Sequence, residues 1–94
     1  MSATAPTTLT HALQQARTLS QKQCWQEAAP HYREAHALAP TNAEALEGLG
    51  LVALHGGSAE EALRWFEQAL RHCPPNASLL GLLGIAQKRT GRSR

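Results

Sequence analysis

Two prolines, Pro40 and Pro74, stand 34 positions apart, and this separation constrains the fold more than any other feature of the chain. The same shift superimposes small residues on small residues and aromatic rings on aromatic rings. It pairs Ala28 with Ala62, Tyr32 with Phe66, Ala35 with Ala69, and Leu49-Gly50 with Leu83-Gly84. A fixed period of about 20 to 50 residues is typical of arrays in which one supersecondary unit is stacked repeatedly.

The period divides the chain into two full units, 9–42 and 43–76, and a partial third unit, 77–91. Residues 1–8 are expected to form a disordered lead-in and 92–94 a basic tail. Apolar residues recur at the spacing of an α-helix, one stripe to each segment. The spacing predicts five helices, at about 9–22, 25–38, 43–55, 59–72 and 77–90.

Helix-terminating and helix-capping residues fall between these segments. Thr41 and Ser58 each precede a Glu by three residues, which predicts two capping boxes. Gly56-Gly57 is expected to supply a left-handed C-cap, and Asn76 to cap the fifth helix after Pro74-Pro75. Pro30 falls inside the second helix, where we expect a local kink without a break.

This pattern resembles the tetratricopeptide repeat. The unit 43–76 carries the family's small and large positions, which are Leu49, Gly50, Ala62, Phe66, Ala69 and Pro74. The unit 9–42 matches only in its second helix. The resemblance covers 9 to about 91 and implies an all-α, right-handed superhelical stack of antiparallel helix pairs with about two and a half repeats. It also implies a scaffold that binds another protein or a peptide.

In that family the first helix of each repeat lines a concave groove. Transferred by repeat position, the candidate partner-binding residues are Leu13, Arg17, Glu44, Glu47, Leu51, Leu54, Leu82, Ile85, Lys88 and Arg89. The subclass that grips a chaperone's terminal carboxylate uses a clamp of Lys, Asn and Arg. Of the matching positions here only Arg17 is such a donor, which disfavours that ligand. A partly apolar groove better suits an amphipathic helix or an extended apolar segment.

The fifth helix, 77–90, is apolar on nearly all sides, although terminal repeats usually present a polar outer face. Three interpretations stay open. The sequence is part of a longer protein, the helix is covered by a second copy in a homo-oligomer, or the helix is itself the binding surface. A module at the N-terminus of a larger bacterial enzyme, of transferase or hydroxylase type, is a further alternative, in which it would orient substrate or mediate assembly.

Other classes of function lack support in the sequence. Four of the nine Lys and Arg residues lie in the last seven positions, so there is no basic stripe for a nucleic acid. No apolar run approaches the ~18 residues that a membrane span needs. Five scattered histidines and two distant cysteines form no metal or catalytic motif. We therefore expect a cytoplasmic protein that is not an enzyme and holds no cofactor or metal.

Overall fold

The computed structural model describes residues 8–74 and 76–91. Five α-helices follow one another: α1 (Leu9–Gln21), α2 (Trp25–Leu38), α3 (Ala43–His55), α4 (Ala59–His72) and α5 (Ala77–Thr90). The predicted helix boundaries are confirmed to within one residue. Residues 1–7 of the predicted lead-in, Pro75 and the predicted tail 92–94 lie outside the described residues. Thr8, which we assigned to the lead-in, is the N-cap of α1.

Three helices begin with a side chain that accepts a hydrogen bond from the backbone N–H three residues later. Thr8 caps α1 at 3.1 Å, Asn42 caps α3 at 3.0 Å and Asn76 caps α5 at 2.8 Å. The predicted capping box at Thr41 is wrong by one position, because Asn42 is the residue that adopts the extended cap conformation. Ser58 precedes α4 as expected, but its side chain makes no capping hydrogen bond.

The turns that follow the first helix of each repeat share a residue in the left-handed backbone conformation. Gln23, Gly57 and Gly91 have φ values of 62°, 92° and 77°, and the three residues occupy the same position of successive repeats. Each stands just after a helix end, where a left-handed residue commonly terminates the helix. The predicted left-handed cap at Gly57 is confirmed. Gln23 makes the same turn with a side chain that is sterically disfavoured in this conformation.

Small residues allow the paired helices to approach closely. A Cβ at Gly48 would overlap the ring of Tyr32, and a Cβ at Gly50 would overlap the ring of Phe66. Each aromatic ring therefore packs directly on the backbone of α3, Tyr32 from α2 and Phe66 from α4. Both rings are buried, and they anchor two separate core clusters. Packing at this density explains why glycine stands at these two helical positions.

Trp65 joins the two clusters, since it packs against both of them. It also meets His36 edge-to-face, with the ring centroids 5.2 Å apart. Trp65, a residue of the second repeat, thus covers part of the first.

α2 runs through Pro30 without a break, and Pro30 itself is exposed, so the interruption of hydrogen bonding falls on the solvent side.

Candidate interaction surface

The first helices of successive repeats form one side of the stack. Backbones of α1 and α3, and of α3 and α5, approach within 8 Å, whereas those of α2 and α4 do not. The stack is therefore narrower on the side of α1, α3 and α5. The molecule is elongated, at 57 × 25 × 18 Å, as expected when each repeat contacts only its neighbours.

One row of side chains crosses this narrower side. Arg17, Leu51 and Ile85 occupy the same repeat position in α1, α3 and α5. Glu47 and Glu44 precede Leu51 by about one and two helical turns, so they lie on the same side of α3. We call these five residues the inner face.

An ion pair joins α1 to α3 across the inner face. Arg17 donates from Nε to Oε2 of Glu44 at 2.8 Å, and its Nη2 lies 2.7 Å from the same oxygen. The two side chains are 54% and 41% exposed, so the pair adds less than about 1 kcal/mol to stability. Its main effect is to hold both charges in defined positions beside the rest of the inner face.

Glu47 is the less solvated carboxylate of the inner face. It is half-buried, and among the described residues no cation lies within ion-pair distance of it. Burial raises the pKa of Glu47 above its ordinary value, and the nearby charge of Glu44 raises that pKa further. A hydrogen-bond donor or a cation from a partner would relieve both effects.

Apolar area on the inner face comes from Leu51 and Ile85. Leu51 is partly exposed, and Ile85 is 43% exposed, one of three large apolar residues that the described chain leaves open. The two stand on neighbouring helices at equivalent positions. They therefore form a short apolar strip bounded by the carboxylates of α3 on one side and by exposed Lys88 on the other.

Two predicted binding residues lie in the core, and two others contact neighbouring parts of the chain. Leu13 and Leu54 are only 7% and 4% exposed and belong to the core, so they are not surface residues. Leu13 packs in the cluster of α1, α2 and α3, and Leu54 packs in the cluster of α3, α4 and α5. Leu82 is partly buried against that same cluster. Arg89 donates from Nη1 to the carbonyl oxygen of Leu54 at 3.4 Å, at the end of α3.

An aromatic contact that the sequence did not predict joins α2 to the end of α3. Trp25 of α2 and His55 at the end of α3 stack in parallel, with ring centroids 4.1 Å apart and 4° between the planes. The two rings border an open depression of about 580 Å³ with Arg33 and Val52. Their separation along the chain does not match the repeat period, so only the packing of α2 against α3 reveals the pair.

The described residues provide neither a group of metal ligands nor a helix suited to span a membrane. No three His, Cys, Asp or Glu side chains within residues 8–74 and 76–91 are grouped to hold a metal ion. Cys24 and Cys73 are both free. No helix of the described residues has the length and apolar character that crossing a membrane requires.

Comparison with known proteins identifies the architecture. The tetratricopeptide repeat family profile matches residues 13–77, which run from within α1 to the first residue of α5. YrrB, described as a TPR protein with an unusual peptide-binding site, is similar in structure, with a TM-score of 0.81 and 28% identity. That match covers 87% of this chain and 42% of YrrB.

A mutant of MamA shares the fold, with a TM-score of 0.82 and 24% identity over 96% of this chain and 66% of MamA. The chain thus spans less than two thirds of the length of either structure. A search of curated protein sequences finds no match. The profile match, the repeat period and the stacked helix pairs together show that this chain belongs to the tetratricopeptide repeat family.

Proposed function

We propose that this helical-repeat scaffold binds a segment of another protein across its inner face. The observation that carries the proposal is the alignment of Leu51 and Ile85 at one repeat position on neighbouring helices, both partly exposed. The exposed parts of these two side chains contribute no hydrophobic stabilisation in the free chain, whereas a partner's apolar side chains would bury them. Burial contributes about 25 cal/mol per Å² of apolar area.

Charge around this strip gives the bound segment an orientation. The ion pair of Arg17 with Glu44 marks one end, and Lys88 marks the other. Glu47 stands between them without a cation from the described chain. A segment with apolar residues beside a Lys or Arg would satisfy the strip and Glu47 together, and such an amphipathic ligand suits a groove of this composition.

Peptide selection against the full chain tests the proposal. Peptides from a random library are selected on the protein, and their affinities are measured by fluorescence anisotropy for the protein and for the double variant Leu51→Glu, Ile85→Glu. We expect the double variant to lose at least about tenfold in affinity, because two charges would replace the apolar contacts. Unchanged circular dichroism checks that the fold survives.

A matched variant on the outer side serves as the control. Arg33→Glu, on the exposed part of α2, changes charge without touching the inner face. It should leave the affinity of the selected peptides within about twofold. If Arg33→Glu weakens binding while the double variant does not, the ligand lies on the outer side and the proposal is wrong.

A further inference from the structure

α5 is the first helix of the third repeat, as α3 is the first helix of the second, so their residues can be compared position by position. On α3, the side that faces α4 includes Leu46 and Gly50, and Leu46 is 0% exposed. The residues at the same repeat positions of α5 are Leu80 and Gly84, and Leu80 is 49% exposed. We call Leu80 and Gly84 the open side of α5.

Gly84 repeats a packing site whose occupant is absent from the described chain. At Gly50, the ring of Phe66 occupies the space where a Cβ would stand. At Gly84, apart from the backbone of α5 itself and the two adjacent residues, no heavy atom of the described residues lies within 4 Å of that same position. The backbone of α5 thus presents the surface on which an aromatic ring packs in the preceding repeat.

The open side of α5 differs from the inner face. Successive residues of an α-helix are separated by about 100° around the axis, which puts Leu80 and Gly84 about 100° or more away from Ile85. A third side of α5 is closed, since Leu79 and Ala86 are 1% and 0% exposed in the core. A ligand on the open side would therefore leave the apolar strip of the inner face accessible.

α4 shows which side chains a helix needs in order to pack on the open side of α5. That helix lays Ala62, Phe66 and Ala69 against the core, all 0% exposed. The first unit repeats the spacing with Ala28, Tyr32 and Ala35. A helix that fits α5 in the same way carries a small residue, an aromatic four residues later and a small residue three further on.

At two equivalent positions α5 carries polar residues where α3 carries apolar ones, and these residues indicate which charge a docked helix should carry. Where α3 has Ala53 and Leu54, α5 has Gln87 and Lys88, both exposed. In the antiparallel pair of α3 and α4, the last turn of the first helix lies beside the first turn of the second. Lys88 would thus meet the first turn of an added helix, where acidic residues are already favoured. α4 itself has two glutamates in that turn.

We propose that the open side of α5 docks an amphipathic helix of a partner protein, antiparallel to α5, with an aromatic side chain over Gly84 and an acidic first turn beside Lys88. The inference does not depend on binding at the inner face. The open side of α5 is a separate surface, and the expected arrangement of the docked helix copies the contact that α4 makes with α3.

A synthetic copy of α4 is the probe. An acetylated peptide of residues 58–74 is titrated into the ¹⁵N-labelled full chain and followed by amide chemical shifts. A helix this short is only partly formed in water, so binding in the range of about 0.1 to 1 mM is expected. Saturable shifts should be centred on Leu80, Gly84 and Gln87.

Variants on each side make the result specific. Gly84→Leu fills the open space with a better helix former, and it should weaken peptide binding at least about tenfold. Phe66→Ala in the peptide should do the same. Ile85→Glu, on the inner face, should change the affinity by less than about twofold, and this result keeps the test separate from that of the proposed function.

Three outcomes would overturn the proposal. The first is the absence of saturable shifts on α5 at millimolar peptide. The second is a set of shifts spread over α3 and α4, which would mean that the peptide exchanges with α4 itself. The third is a dimer of the free chain in sedimentation that Gly84→Leu converts to monomer, which would make a second copy the occupant.

Discussion

Gly50→Ala and Gly84→Ala are the same substitution at the same repeat position, yet the structure predicts opposite effects. In an exposed helix, Gly to Ala stabilises by about 1 kcal/mol. Gly84 has open space around the new methyl group, so Gly84→Ala should raise the free energy of unfolding by that amount.

At Gly50 the new methyl group overlaps the ring of Phe66, which is 0% exposed and held between helices. Overpacking of a filled core costs about 1 to 3 kcal/mol, and a full overlap with a trapped ring belongs at the upper end. After subtraction of the helical gain of about 1 kcal/mol, Gly50→Ala should lower stability by about 2 kcal/mol. The two variants should therefore differ by about 3 kcal/mol.

Urea unfolding followed by circular dichroism measures both free energies. A third variant, Gly50→Ala with Phe66→Leu, provides the control, because a smaller side chain makes room for the methyl group. We expect the double variant to be at least about 0.5 kcal/mol more stable than the sum of the two single effects predicts. If Gly50→Ala is as stable as Gly84→Ala, the ring does not pack on the α3 backbone and the reasoning from the repeat register fails.

Two further substitutions test the local arguments. Gln23→Gly should raise the free energy of unfolding by about 0.5 to 1 kcal/mol in urea titrations, since the turn keeps its left-handed conformation at φ 62° but loses the side chain that disfavours it; Gln21→Gly, inside α1, should lower it instead. Glu47→Gln should raise Tm at pH 7 but not at pH 3.5. The raised pKa of Glu47 in the fold means that the folded protein holds the proton more tightly, so stability falls as pH rises from the ordinary value of 4.5 through the raised one. An equal change in Tm at both pH values would contradict the assigned cause.

Most of the helical architecture could be predicted, because its signals are local or periodic. Capping residues, prolines and the spacing of apolar side chains define where each helix begins and ends. The one-residue difference at Asn42 has a local cause, since Thr41 and Asn42 are both capable caps and backbone geometry chose between them. The turn at Gln23 was harder to foresee, because glutamine carries no preference for a left-handed conformation.

The candidate site was predicted less completely. Transfer by repeat position assigned Arg17, Glu44 and Ile85 to a surface, and the structure leaves all three at least partly exposed. The same transfer assigned Leu13 and Leu54 to that surface, although both are core residues. The difference arises because burial depends on which neighbouring helices cover a position. Leu13 packs in the cluster shared with α2 and α3, and Leu54 packs in the cluster shared with α4 and α5. These contacts follow from the packing of whole helices and have no signature within one helix.

Spacing along the chain was sufficient to establish the family, the five helices and the pairing of small with aromatic residues, because each of these is a periodic property. The exposure of individual leucines depended on tertiary packing. Leu46 and Leu80 occupy the same repeat position, yet one is 0% and the other 49% exposed. The physical reason is that burial requires a second surface, and α4 supplies one to α3 while no helix within the described residues supplies one to the open side of α5.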